Sequence, residues 1–404
     1  MEQRNFVFLS IASLPDQSAS GLRISSFIDA LVLHGHKCYA VGQAAMPPFS
    51  HQTVRSGYEL FSLYNSSLRN DKKEKIAAFA FPKKRFRRIL NNIFANDPNI
   101  YGLFVYQKLP GFVIPYLIRL CKKRHIHLFF DIVEYQVISQ QDFLGFFINY
   151  LPNYATINYY AKKGRVTAIS SYLYQFFSQK GIPTVYIPFF FDTSKITFVS
   201  NNFIKYPHQG LYLLYAGVPQ GGRDTIVNAV KGILLLPLEL QRNISFWLAG
   251  ANEEQMLQLG LSKEELSQSK IFCHYLGRVR HEKVMELYEM VDYSLLLKPK
   301  NKRFSKAGFP TKISESLAAG VPPICNDTGD VGHFIIDGKN GLLLNDDSPE
   351  AFSSGILKAL SMPQDAYLRL RQEARKTADS ELSLPVFADR LEEFCTEGKT
   401  SHGN

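Results

Sequence analysis

Lys312 and Glu315 lie three residues apart in FPTKISESLAAGV, residues 309–321. On a helix that spacing puts both side chains on one face. Pro310 disfavours helix at Phe309 and is itself suited to a turn. The helix is therefore expected to take Thr311 as its N-cap and to close at Gly320, after about two turns. Ile313 and Leu317, four apart, mark its buried face. A helix N-terminus offers unpaired amide protons and a partial positive charge, and Lys312 adds a mobile ammonium; together they suit a diphosphate. Glu315 offers two carboxylate oxygens that can accept from adjacent hydroxyls of a ribose. A lone K-x-x-E can equally be a solvated surface pair. Here the preceding proline, the A-A-G stop and the later Gly329, Gly338 and Gly341 argue for a multi-part motif.

Other segments could contribute. LYLLYAG reads as a strand, and VPQGGRD, residues 218–224, as the turn that follows it before a helix from Asp224 to about Leu235. Glycines such as Gly222 let backbone amides approach an anion, and Arg223 can bridge two phosphate oxygens. The turn is neither a Walker A loop nor a G-x-G-x-x-G fingerprint, and it can also be an ordinary βα turn. The strand end HYLGRV brings Gly277, Arg278 and Val279; Arg278 pairs with phosphate or is simply exposed. Lys298, Lys300, Lys302, Arg303 and Lys306 precede the motif, and most of them suit a solvated loop. FFDIVEYQ ends a strand with Asp131, Glu134 and Tyr135. Glu134 either meets a substrate or pairs with a nearby base.

The blocks P-T-K-I-S-E-S-L-A-A-G-V-P-P-I, N-D-T-G and I-I-D-G-K-N-G-L-L-L resemble glycosyltransferase family 4, retaining enzymes of the GT-B fold, and in particular polysaccharide-building bacterial members. The resemblance implies an α/β protein of two Rossmann-like domains facing a cleft. It implies a nucleotide diphosphate sugar as donor substrate, with no cofactor and no metal. Glu315 then holds the ribose, and Arg223 and Lys312 stabilise the departing diphosphate; these three form the expected catalytic set. Donor contacts are expected from Gly21, Gly222, Arg223, Gly277, Val279, Gly308, Phe309, Pro310, Thr311, Lys312 and Glu315. Backbone groups at Gly277 to Val279 would read the base edge. Glu134 and Tyr135 would meet the acceptor, a glycan or a lipid-linked glycan. S-S-Y-L and I-P-x-x-x-D, matched by Ser170, Ser171, Pro188 and Asp192, would close the first domain. Three positions depart from the family. Ala307 stands where a second glutamate often contacts the donor sugar, Val218 where an arginine follows the first glycine, and Val133 near a usual histidine. Ala307 and Val133 favour one alternative, a non-catalytic nucleotide-sugar-binding subunit of a transferase complex; a GT-B epimerase acting on the nucleotide sugar itself is another.

The elements that must position these groups are those of two α/β domains, expected at 1–195 and 206–380, with 381–404 as a helix crossing back to the first domain and a tail. A length of 404 residues with 46% hydrophobic content suits that. Phe6 to Ile11 reads as the first strand, Arg23 to His34 as a helix and Lys37 to Val41 as the next strand. Val321 to Cys325 reads as a strand after the motif. Residues 193–209 read as a linker. No apolar run reaches the length of a membrane-spanning helix, and the N-terminus lacks a signal-peptide pattern. The five cysteines have no metal or disulfide spacing, which fits a reducing cytosol.

Charge is uneven. Residues 1–200 carry 23 Lys and Arg against 11 Asp and Glu, a net of +12, so the remainder carries −2 of the whole-chain +10. Residues 72–92 concentrate it: Lys83, Lys84, Arg85, Arg87 and Arg88 interleave with Phe79, Phe81 and Phe86. That composition suits insertion at an anionic membrane surface. Nucleic-acid binding uses similar chemistry, and a plain solvated face is also compatible. Because the family often takes lipid-linked acceptors, the expectation is a peripheral protein on the cytoplasmic face of the membrane, with no nucleic-acid partner.

Overall fold

The first strand runs longer than expected, as Asn5–Ser13 (β1), and Phe6 to Leu9 are almost wholly buried. A run buried on both faces belongs inside a parallel sheet covered by helices. The computed structural model of the chain shows such a sheet in each of two units, Met1–Phe191 with Leu384–Asn404 and Asp192–Ser383. The structure describes residues 3–15, 18–65, 82–107, 109–110, 112–135, 150–196, 210–219, 224–300 and 302–397.

The first unit is built on Asn5–Ser13 (β1), Cys38–Ala44 (β2), His51–Arg55 (β3), Tyr58–Asn65 (β4), Ile100–Tyr106 (β5), His127–Ile132 (β6), Arg165–Ala168 (β7) and Thr184–Tyr186 (β8). Their order is β3-β4-β2-β1-β5-β6-β7-β8, and only the β3–β4 pair is antiparallel. That edge hairpin was not foreseen. The helix expected from Arg23 begins earlier, at Ala19, because Ser18 caps it by accepting from the Gly21 amide. Phenylalanines fill the core: Phe104 stacks between Phe8 and Phe129, with ring centroids 4.6 Å apart on each side. Leu384 donates its amide to the Phe191 carbonyl, and the helix Leu384–Thr396 sends Phe387, Leu391, Phe394 and Cys395 into this same core.

Buried polar groups tie the strand ends of this unit together. Arg23, only 2% exposed, grips Asp131 through Nε and Nη2 at 2.9 and 2.8 Å and also donates to the Ile187 and Pro188 carbonyls. Thr167 donates to the same carboxylate at 2.9 Å. The Asp131 carboxylate is thus held by two partners, Arg23 and Thr167, as burial of a charge demands.

The second unit carries Leu211–Ala216 (β9), Ile244–Ala249 (β10), Cys273–Gly277 (β11), Tyr293–Leu296 (β12), Pro323–Asn326 (β13) and Leu342–Leu344 (β14). All neighbours pair in parallel, in the order β11-β10-β9-β12-β13-β14. The order reverses between β9 and β12. In open α/β sheets the loops at the carboxyl ends of such a pair diverge and leave a place for ligand. The helix after β9 spans Ile226–Leu234, two residues inside the expected start.

Candidate functional site

The motif helix spans Thr311–Ala318. Thr311 is its first residue rather than its cap: extended Pro310 takes the cap position, and no side chain caps the helix. Ile313 to Ala318 are buried, with the Glu315 carboxylate at the margin. Gly320 ends it in the left-handed region at φ 67°, where a side chain would be strained. The Val321 amide reaches the Ser316 carbonyl at 2.9 Å and the Gly320 amide reaches Leu317 at 2.9 Å, which together form a Schellman closure. Two arginines from the helix Gln364–Glu381 complete this end. Arg371 donates to the Gly320 carbonyl and Arg375 to the Ala318 carbonyl, both at 2.7 Å. The strand that follows starts later than expected, at Pro323, because the Val321 amide serves the closure.

Lys312 is in the first turn, where a cation opposes the helix dipole. What holds it there comes from the end of β9. Its Nζ donates to Asp224 Oδ2 at 3.4 Å and lies 4.1 Å from the centre of the Tyr215 ring. Tyr215 donates its hydroxyl to the same Asp224 oxygen at 2.6 Å. Gly217 leaves room, since a side chain there would begin 3.2 Å from the ammonium. Burial works to raise the Asp224 carboxyl, but Lys312 and Lys298 with the Tyr215 hydroxyl outweigh it and leave its pKa below the usual value. Burial and the Asp224 charge push Tyr215 well above its ordinary range, so it stays a neutral donor.

Glu315 meets a different partner. His281, the first residue of the helix His281–Tyr288, places Nε2 at 3.1 Å from Glu315 Oε1. The Glu315 side chain is 11% exposed and that of His281 34%. Tyr288, fully buried, donates to the Lys312 carbonyl at 3.4 Å, and burial followed by the Glu315 charge raises its pKa far above normal. Asp224, Tyr215 and His281 were not singled out in the sequence. Only Asp224 carried a signal, as a carboxylate directly after a basic turn.

The remaining expected contacts are distributed as follows. Gly222 and Arg223 lie outside the described residues, as do Phe79 and Phe81. Gly277 has both backbone groups engaged: its amide donates to the Ala251 carbonyl and its carbonyl accepts from Gly250. Val279 packs partly buried against the core, and Arg278 is exposed. Gly308 is extended, and Phe309 turns inward onto Phe334 with ring centroids 5.3 Å apart. Ala307 is fully buried. In the first unit, Gly21 has a packing role. Its amide is spent on Ser18, and a side chain would come within 2.5 Å of the Ser13 carbonyl. Glu134 and Tyr135 follow β6 on a loop clamped by buried Gln107, whose Oε1 accepts from the Val133 and Glu134 amides at 2.6 and 2.9 Å. Val133 packs against the core of that unit.

The basic patch lies on the helix Pro82–Asn96. Phe86 is fully buried and cannot enter a bilayer, which corrects the expectation for that residue. Arg85 and Arg88 lie over Phe49, at 5.5 and 4.2 Å, and Arg85 also donates to the Leu63 carbonyl. Lys83, Lys84, Arg87 and Arg88 are exposed. The helix therefore presents charge, with its apolar residues turned inward. Among the described residues no helix is long and apolar enough to cross a membrane, and no three His, Cys, Asp or Glu are grouped to hold a metal.

Residues 214–377 match the family model of glycosyl transferases group 1, a span that contains Asp224, His281, Lys312 and Glu315. The fold is that of GT-B proteins, two α/β units each built on a largely parallel sheet. Sucrose-phosphate synthase from Thermosynechococcus elongatus is similar with a TM-score of 0.74 at 15% identity, over 97% of this chain and 98% of that one. Anabaena HepE, solved with UDP and glucose, is similar with a TM-score of 0.64 at 13% identity, over 97% and 99%. In sequence, the chain is 24% identical over 294 residues to an uncharacterized glycosyltransferase of Methanocaldococcus jannaschii, covering 68% of this chain and 69% of the relative.

Proposed function

We propose that this GT-B chain is a retaining, metal-independent glycosyltransferase of family 4. It moves a hexosyl group from a nucleotide diphosphate sugar to a glycan or lipid-linked acceptor in cell-surface polysaccharide synthesis. The observation that carries the reading is the motif helix at the reversal of the second sheet. One turn of it bears a cation and an anion, each partly exposed and each steadied by a different loop. Lys312, the helix N-terminus and Arg223 act on the diphosphate, and Glu315 on the ribose. The bond from the anomeric carbon to the diphosphate oxygen breaks, and the acceptor hydroxyl oxygen replaces it on the same face. The hydroxyl proton leaves on the diphosphate. Charge that develops on that leaving group is met by cations already in place, which is the larger part of such catalysis. With Gly277 engaged by its neighbours, base reading falls to the backbone at Arg278 and Val279. Glu134 and Tyr135 take the acceptor, and the protein works at the cytoplasmic face of the membrane.

Glu315→Ala should weaken binding of the preferred nucleoside diphosphate by about 2 kcal/mol, roughly thirtyfold, as for lost charge-assisted hydrogen bonds. Calorimetry that finds the affinity unchanged rejects the assignment. Ala307, buried where it can offer no carboxylate, favours the reading as a non-catalytic donor-binding subunit. Purified protein that binds donor yet neither hydrolyses nor transfers the sugar would select that reading, and conversion of the sugar without acceptor would select an epimerase.

A further inference from the structure

We propose that His281 is the positioning residue for the ribose diol, and so sets the preference of this site for ribonucleotides over 2′-deoxyribonucleotides. The proposal rests on the donor reading given above. Two adjacent hydroxyls can be held together only by a carboxylate whose plane is fixed. Glu315 has three side-chain torsions and projects from a helix that is itself pinned at its far end by Arg371 and Arg375. The backbone is therefore settled, and the carboxylate plane is the part still free to turn. His281 removes that freedom. Its Nε2 lies 3.1 Å from Oε1, and against a carboxylate, which only accepts, that nitrogen carries the proton.

The contact leaves capacity for ligand. A carboxylate has about four acceptor sites on two oxygens, and His281 uses one of them. Oε2 and the remaining site on Oε1 stay available to the hydroxyl pair. Fixing an acceptor before the ligand arrives lowers the ordering cost of binding, and that gain is realised only by a ligand that has the hydroxyls. The pairing is also long-range. His281 opens the helix after the edge strand β11 and Glu315 sits in the helix between β12 and β13, so two connections far apart in sequence meet at this pair. His281 touches no reacting atom.

The test uses the full-length chain and calorimetric affinities for UDP, GDP, ADP and CDP with their 2′-deoxy counterparts. The readout is the ratio for the base that binds best. Wild-type protein should favour the ribonucleotide by about tenfold or more, as expected when a charged acceptor loses a hydroxyl. His281→Ala should bring that ratio within about threefold while deoxynucleotide affinity stays within about threefold of wild type. His281→Gln, which keeps an N–H donor near the Nε2 position, should restore most of the ratio, and it also covers the case in which the alanine variant does not fold. A purely structural role for His281 would weaken both nucleotides alike and leave the ratio intact, and that result overturns the proposal. A wild-type ratio near one overturns it too. Failure of every nucleotide to bind refutes the donor reading itself, whereas binding with a ratio that survives His281→Ala refutes only the role of His281.

Discussion

Lys312 is a cation placed where the helix dipole disfavours it, and Asp224 is a carboxylate placed where burial disfavours it. Each is tolerable because of the other. Lys312→Met should therefore act twice. It should weaken nucleoside diphosphate binding by about 2 kcal/mol, and it should lower stability by about 1–3 kcal/mol by depriving Asp224 of its closest cation. Adding Asp224→Asn should return stability, read by urea unfolding, without returning affinity, read by calorimetry. Additive losses in the double variant would show that the two side chains are independent. Lys312 and Glu315 were legible in the sequence because residue type and spacing sit in one short stretch. Their partners were not, since Asp224 is 88 positions from Lys312 and His281 is 34 from Glu315. No local pattern encodes a contact made only when separate strands align.

At the level of elements, central parallel strands could be read within a few residues because burial on both faces writes them as apolar runs. The hairpin of β3 and β4 was missed because β3, HQTVR, is a mostly exposed polar edge with no apolar alternation. The helix Leu384–Thr396 shows how an element is held. Glu392 on it lies 3.5 Å from His36 Nε2, and Asp389 lies 3.2 Å from His34. His36 is 2% exposed, stands edge-on to Phe6 and accepts the Arg4 amide at Nδ1. Protonating Nδ1 would set donor against donor. Burial lowers the His36 pKa from 6.5, with His34 and Arg4 adding to it and Glu392 working against it. Because the folded value is depressed, the unfolded chain binds more protons below about 6.5, and this contribution to stability is full above that value and lost as pH falls toward the folded value. Urea unfolding should accordingly give a lower stability at pH 5.5 than at 7.5, and His36→Asn, which keeps an acceptor, should reduce the difference. An unchanged pH difference in the variant would assign it to other groups.

Over the whole molecule, the charge asymmetry was plain in the sequence, with +12 in residues 1–200 and −2 beyond. What composition could not say was which way the apolar residues of the basic segment turn. Phe86 turns inward, so attraction to a membrane through this helix is electrostatic and must weaken with salt. Replacing Lys83, Lys84, Arg85, Arg87 and Arg88 with Gln should abolish co-sedimentation with vesicles of anionic lipid at low salt while donor affinity is retained. At about 1 kcal/mol per basic residue near an anionic surface, five substitutions exceed what weak adsorption can survive. Sedimentation that persists in the variant moves the membrane-binding surface elsewhere, and binding to oligonucleotides instead of vesicles would name another partner.

The Leu384–Thr396 helix belongs to the phenylalanine core of the unit whose strands come first along the chain. During synthesis the ribosome delivers nearly all of that unit early, then makes the whole of the second one before supplying the missing piece. Until then Phe129 and Phe190, which pack on Phe394 and Phe387 of that helix, lack part of their cover, so the unit started first is the one completed last.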